Sequence, residues 1–269
     1  MKQQFTEADT EVYYDTVESQ YQIPWNPDGS KHWGYFEDLD APNDEQVLMA
    51  ACDRLNQYML SQSNIDADAR TLDLGCGNGN TAIYLAQETN CAVVGLDISN
   101  NHIQTAQTKA QDFPSLRLDF YKGSATNLPF DDESFSHVWS QGTLLHIHPR
   151  ETALQEIYRV LNLGGIFLFE DLVVKIPQIT EDTSQYVYQR LYVTELFSPQ
   201  TYQSSLKKIG FEIIKVEDLS WHMKKTYDIQ AQRVGKSDPQ RCFAYQKTSE
   251  AVVAGEIGWW FYLCKKVYI

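Results

Sequence analysis

From Arg70 onward the chain alternates two kinds of hydrophobic pattern. Thr71–Leu74 (TLDL), Ala92–Leu96 (AVVGL) and IFLFEDL are near-continuous apolar runs, the pattern of strands covered on both faces. Leu116, Leu118 and Phe120 alternate, which predicts another strand, and FSHVWS predicts one more after the turn at DDES. Between these runs the spacing becomes helical. Thr81–Glu88 opens one helix, and Ser99 caps a second whose inner face is Ile103, Ala106 and Ala110. Arg150–Leu161 is a third, with Leu154, Ile157, Tyr158 and Leu161 inward and Gly164-Gly165 as its stop. Repeated β-α units of this size predict a parallel sheet with helices on both faces.

The flanks read differently. The first segment is aromatic-rich and broken by the turn region IPWNPDGSKHWGYF; a helix over Asp44–Gln62 follows, with Val47, Leu48, Ala51, Leu55, Tyr58 and Met59 at helical spacing. After Lys175 the β-α rhythm stops. Residues 175–200 are polar and tyrosine-rich, SPQTYQSSLKKIGFEIIKVEDL restores one helix and one strand, and GEIGWWFYLCKKV closes as a strand. The expected organisation is a single domain over 1–269. It comprises an N-terminal arm and helix (1–69), a core (70–174), a cap (175–200 and 222–255), and a closing helix and strands (201–221 and 256–269).

Composition narrows the partners. A chain of 269 residues with 43% hydrophobic content can bury a sizeable core, and its net charge of -14 excludes nucleic acid and anionic membrane surfaces as expected partners. The five cysteines are scattered without a CxxC pair, so neither a metal site nor a disulfide framework is expected. The polar, acidic N-terminus and the lack of a membrane-length apolar stretch point to a cytoplasmic protein.

The candidate chemistry starts at LDLGCGNGN. A phosphate-binding G-x-x-x-x-G-K-[ST] loop is excluded because no Lys-Ser/Thr follows. A dinucleotide loop wants a third glycine where this chain has Asn80. Asp97 nevertheless lies 22 residues beyond Gly75, at the end of the next strand, where a carboxylate accepts bonds from ribose hydroxyls. Loop and acid together suit an adenosine cofactor that needs no phosphate-binding lysine. A nicotinamide dehydrogenase is the competing enzyme reading, and it rests on the glycine loop alone.

DLGCGNGN, GLDIS, GSATNLPF with DDESFSHVWSQ, and YRVLNLGGIFLFED resemble, in order, the motifs of class I S-adenosylmethionine-dependent methyltransferases. The resemblance is close over roughly residues 68–174. WSQGTLLHIHP and the N-terminal YYD…HWGYF look like the small-molecule branch, of sarcosine/dimethylglycine and natural-product type. It implies an α/β fold, Rossmann-like and doubly wound, with a mostly parallel seven-stranded sheet, an aromatic arm and a helical cap over the cleft. It also implies S-adenosyl-L-methionine as cofactor and S-adenosyl-L-homocysteine as product. Gly75, Cys76 and Gly77 would pass against the methionine part, Asp97 would hold the ribose and Ile98 would pack on adenine. Ser124 and Ala125 would meet the adenine edge; many relatives carry Asp where this chain has Ser124. Ser140 and Gln141 would lie beside the sulfonium, and Tyr13, Tyr14, Tyr21 and Trp33 would close over the methionine end.

Methyl transfer to an alcohol gains from a general base, whereas a neutral amine attacks without one. The candidates are His146, His32 and Asp171, with His146 best placed just past a strand's carboxyl end. Glu170 and Asp171 alternate across the sheet, so only one is expected to face the cleft, and His148 is expected to be exposed. Tyr186, Tyr188, Tyr192, Phe197, Trp221 and Tyr227 are candidates for an aromatic acceptor pocket. A glycine-like acceptor would need a cation for its carboxylate, and the cap offers few arginines (Arg190, Arg233, Arg241). The expected activity is therefore methylation of a hydroxyl oxygen on a small organic molecule such as a natural-product intermediate. N-methylation of a small amine and a non-catalytic cofactor-binding scaffold are the alternatives.

Overall fold

A computed structural model describes residues 5–17, 30–193 and 195–268. Among them, seven strands form one sheet in the order β3-β2-β1-β4-β5-β7-β6. They are β1 (Arg70–Leu74), β2 (Ala92–Asp97), β3 (Leu118–Lys122), β4 (Phe135–Gln141), β5 (Leu161–Val174), β6 (Phe211–Asp218) and β7 (Ile257–Lys266). The first five are parallel; β7 runs antiparallel between β5 and β6. The order reverses between β1 and β4, so the carboxyl ends of these strands open a crevice there. The expected α/β, Rossmann-like sheet with seven strands is what forms.

Alternation along the strands divides the core in two. Leu72, Leu74, Val94, Val138, Phe167 and Phe169 pack with Leu154, Ile157 and Leu206, from helices α5 (Arg150–Val160) and α7 (Pro199–Ile209). On the other face, Val93, Trp139, Leu168 and Leu172 pack with Leu55, Leu85 and Met223. Those come from α2 (Glu45–Ser63), α3 (Asn80–Thr89) and α8 (Ser220–Val234). Each such side chain contributes roughly 1.5–3 kcal/mol by leaving water. Helix α4 (Asn100–Ala110) starts at the expected cap, Ser99 accepting from the His102 N–H.

Several boundaries differ from the expected ones, two of them for reasons that the hydrogen bonding shows. Strand β3 begins at Leu118 rather than Leu116, because the Leu116 N–H closes a turn onto the Phe113 carbonyl. Helix α5 ends at Val160, ahead of the Gly164-Gly165 stop, because Leu161 already pairs with Phe135 in the sheet. The arm also contains a helix, α1 (Glu7–Val17), where only aromatic residues were anticipated. Thr6 and Asp9 cap it reciprocally: the Asp9 N–H donates to the Thr6 hydroxyl, and the Thr6 N–H donates to the Asp9 carboxylate at 2.8 Å.

The cap is helical. A single turn, α6 (Glu181–Thr183), widens into a π-helical turn at Ser184–Gln189, and α8 packs on α9 (Pro239–Val253). Among the described residues no helix is long and apolar enough to cross a membrane.

Candidate active site

The crevice between β1 and β4 holds a cavity of about 1050 Å³, counted out through its mouth. The glycine loop forms its floor, and the way that loop is bonded decides what it can hold. The Gly75 and Cys76 N–H groups both donate to the Leu96 carbonyl at 2.7 and 3.1 Å, and the Gly79 N–H donates to Cys76. The Gly77 N–H donates to the Asp97 carboxylate at 2.9 Å. Four amides that would line a phosphate nest are thus consumed within the protein, leaving a poor anion cradle and a smooth backbone wall. Gly75 sits at φ +75°, and a Cβ there would lie 2.1 Å from the Thr143 hydroxyl; at Gly77 (φ +51°) it would project into open space.

Asp97 is the pivot. Besides Gly77, it accepts from the Ser99 N–H at 2.8 Å and faces His102 Nδ1 at 3.2 Å. Asn80, at the position of a third dinucleotide-loop glycine, ties the loop to its neighbours. Its side chain donates to the Ser30 hydroxyl at 3.0 Å and accepts from Lys109 at 2.6 Å.

Ten of the expected residues line the cavity: Gly75, Cys76, Gly77, Asp97, Ile98, Ala125, Gln141, Tyr14, His32 and His146. Ser140 lies beneath, donating to the Leu74 carbonyl. Ser124 sits behind the wall and donates to Glu7 of α1 at 2.6 Å. Tyr13 packs edge-on against Tyr14 and onto Tyr192, while Trp33 is turned into the core against Trp259. Tyr21 lies outside the described residues. The Gln141 amide is committed on both sides, accepting from Thr81 and donating to Asn56, each at 3.0 Å.

His146 ends a short 3-10 turn (Leu144–His146) after β4. Burial holds its imidazole well below the ordinary value, at about 4, against the partial opposition of the Leu191 carbonyl beside it. It is therefore neutral at pH 7, and its Nε2 lies 2.7 Å from the Tyr14 hydroxyl. His32 turns Nδ1 toward the Trp33 carbonyl at 3.2 Å.

Asp171 is placed elsewhere. It is fully buried on the α5/α7 side of the sheet, accepting from the Leu145 N–H at 3.0 Å and from the Tyr202 hydroxyl. Arg150, also buried, donates to Tyr202 and to the Leu145 carbonyl, both at 3.1 Å, and lies 3.6 Å from Asp171. Together they clamp the turn that carries His146. Glu170 points to the opposite face, where Trp259 Nε1 donates to it. The alternation is real, yet neither acid lines the cavity. His148 is only partly exposed and pairs with Glu195 at 2.9 Å. Replacing Asp171 by Ala strands a buried guanidinium, so we expect a loss of roughly 3–5 kcal/mol of stability. The midpoint of urea unfolding measures it.

Sequence reasoning missed Asp73, which is nearly fully buried at the cavity wall with Oδ2 unpartnered among the described residues. Burial, with the Asp97 charge nearby, raises its carboxyl to about 7. An acid inside the apolar run TLDLG was the available signal. Glu7, Thr10, Lys31, His102 and Thr143 also line the cavity unannounced.

The cap aromatics are mostly committed to one another. Tyr227 and Tyr245 face the Arg190 guanidinium at 5.7 and 5.3 Å, Phe197 covers Arg150, Tyr186 packs on Phe243, and Trp221 is exposed. Arg233 and Arg241 pair with Glu45 and Asp238.

Comparison with known proteins follows the same lines. A family profile described as a methyltransferase domain matches residues 72–169. The chain is 30% identical to a (+)-O-methylkolavelool synthase of Herpetosiphon aurantiacus, over 81% of this chain and 76% of that protein. It is 31% identical to a sarcosine/dimethylglycine N-methyltransferase of Halorhodospira halochloris, over 80% and 76%. Its fold is similar to that of geranyl diphosphate C-methyltransferase from Streptomyces coelicolor, solved with Mg2+, geranyl diphosphate and S-adenosyl-L-homocysteine. There the TM-score is 0.80 at 13% identity, covering 97% of each chain.

Proposed function

The chain belongs to the class I S-adenosylmethionine-dependent methyltransferases, and on that premise we propose that it methylates a hydroxyl oxygen of a small, largely apolar organic molecule. It is a small-molecule methyltransferase enzyme with S-adenosyl-L-methionine as cofactor. The relatives above are named for methylation at oxygen, nitrogen and carbon, so the acceptor atom has to be argued from this chain's own cavity.

The cavity fits the cofactor. Asp73 offers an unpartnered carboxylate oxygen to an α-ammonium group, Gly77 leaves room for the methionine chain, and Asp97 and Ile98 suit ribose and adenine. The bound cofactor supplies an electrophilic methyl group on sulfur. The protein aligns the acceptor, excludes water and handles the acceptor's proton.

The observation that carries an oxygen acceptor is His146: a neutral imidazole at the cavity wall, already 2.7 Å from a hydroxyl, that of Tyr14. The Tyr14 oxygen marks a position where an acceptor hydroxyl can be held. An alcohol oxygen becomes strongly acidic as it gains a methyl group, so even an imidazole with a depressed pKa suffices to take its proton. The cap supports the same reading. Its Tyr227 and Tyr245 faces are filled by Arg190, which leaves them unavailable to a methylated ammonium. Lys31 in the cavity lining is the feature that favours the alternative, because it offers a cation to the carboxylate of a glycine derivative.

Competition in one vessel decides between them. With labelled cofactor and equal amounts of an apolar alcohol and dimethylglycine, labelled methyl ether is expected; label only in a quaternary ammonium product would overturn the proposal.

Two pH dependences follow. Because burial holds His146 at about 4, turnover should stay flat from neutrality down to the pH 4–5 region, with no inflection near 6.5. The kcat profile measures it. Asp73 behaves oppositely. Its carboxyl sits at about 7 in the free protein, and a neighbouring ammonium favours its charged form. Binding of S-adenosyl-L-homocysteine at pH 7 should therefore release a proton, and affinity should fall as pH drops below about 7. Calorimetry in buffers of different ionisation enthalpy reads this directly, and Asp73→Asn should abolish the proton release.

A further inference from the structure

The adenine end of the cavity has a polar group supplied from outside the core. Glu7, in the first turn of α1, lines the cavity beside Ile98, Gly123 and Ala125. Its Oε1 accepts from the Ser124 hydroxyl at 2.6 Å and from the Thr126 hydroxyl at 3.1 Å. Ser124 is itself fixed, 2.7 Å from the Thr126 hydroxyl and accepting from the Thr126 N–H at 3.0 Å. Both hydroxyls fall on one carboxylate oxygen, and Oε2 has no partner among the described residues.

We propose that Glu7 is the adenine-recognising acid of this enzyme, carried on α1 and held in place by Ser124 and Thr126. The chemistry of the ligand end requires an acceptor. Adenine presents its 6-amino group as a donor, and the side chains of Leu96, Ile98 and Ala125 in the lining pack on a flat base but accept nothing; the Thr10 hydroxyl, also in the lining, is turned onto the Thr6 carbonyl. A carboxylate at position 124 would meet this need from the core, and this chain has a serine there. The serine hydroxyl is a donor, so it holds the Glu7 carboxylate at that edge instead.

Helix α1 is tethered to the core at its far end too, where Asp15 accepts from the Ser99 hydroxyl and Asn101 donates to the Asp15 carbonyl at 3.1 Å.

This inference rests on the cofactor reading of the cavity, and calorimetry separates the two. Wild-type protein is titrated with S-adenosyl-L-homocysteine and with its purine analogue lacking the 6-amino group, and Glu7→Ala is treated identically. Loss of a charge-assisted bond predicts roughly tenfold or more weaker binding of S-adenosyl-L-homocysteine by Glu7→Ala. Binding of the deamino analogue should be unchanged. Adding Ser124→Asp to Glu7→Ala should restore discrimination between the two ligands, because the acid returns from the core side. Hydrogen exchange across α1 should slow with S-adenosyl-L-homocysteine more than with the analogue. Equal weakening of both ligands, or none, would overturn the proposal; failure of wild-type protein to bind S-adenosyl-L-homocysteine would overturn the cofactor reading beneath it.

Discussion

Asp97→Ala is expected to weaken S-adenosyl-L-homocysteine binding by about a hundredfold or more while leaving a folded protein. Two bonds from ribose hydroxyls to a charged acceptor are worth roughly 1.5 kcal/mol or more each, and about 3 kcal/mol is a factor of a hundred. The side chain has a second task that adds to the loss. It anchors the Gly77 N–H at 2.9 Å and faces His102, which packs 5.3 Å from Tyr14. Removing it frees an amide in the loop floor and loosens the footing of α1 at Tyr14. Asp97→Asn keeps an acceptor oxygen for Gly77 without the charge, so it should fall between wild type and Ala. Isothermal titration with all three proteins measures the series.

His146→Ala is the second large effect, and it should appear in turnover rather than in binding. A positioned general base contributes typically about 10²–10⁴-fold, so kcat with an alcohol acceptor should fall by that order. Affinity for S-adenosyl-L-homocysteine should change little, because the imidazole meets Tyr14 rather than the glycine loop. Tyr14→Phe provides the control. If the Tyr14 hydroxyl only holds the empty base, its loss should cost far less than loss of the imidazole. Stopped-assay kinetics of both variants, each with a titration of the product, separate the roles. A His146→Ala enzyme with full turnover would make the imidazole a packing residue.

Much of the fold was legible because the core strands announce themselves. AVVGL and IFLFEDL are apolar on both faces, and a parallel strand covered by two helical layers needs nothing else. Boundaries were less legible where a tertiary contact overrides local pattern. Leu161 reads as helix by spacing, yet its pairing with Phe135 takes it into the sheet. Helix α1 was written in the sequence as Thr6-Glu7-Ala8-Asp9, a capping signature overlooked among the aromatic residues around it.

The site divided along the same line. Gly75, Gly77 and Asp97 are legible because backbone conformation and a strand-end acid leave a spacing that sequence records. Asp171 was misjudged because strand alternation says that two neighbours face opposite ways without saying what covers each side. Here Arg150 and Tyr202 close over one acid and Trp259 over the other. Trp33 looked like part of a lid and packs instead on Trp259, a partner more than two hundred residues away. Glu7 was invisible for a related reason: nothing in an isolated TEAD says that its glutamate meets Ser124.

The most direct test of the account is a crystal structure of the S-adenosyl-L-homocysteine complex. It should show the ribose on Asp97, the ammonium on Asp73 and the sulfur facing the space beside His146 Nε2. A ligand bound with its sulfur turned away from His146, or with ribose and ammonium on other residues, would contradict it.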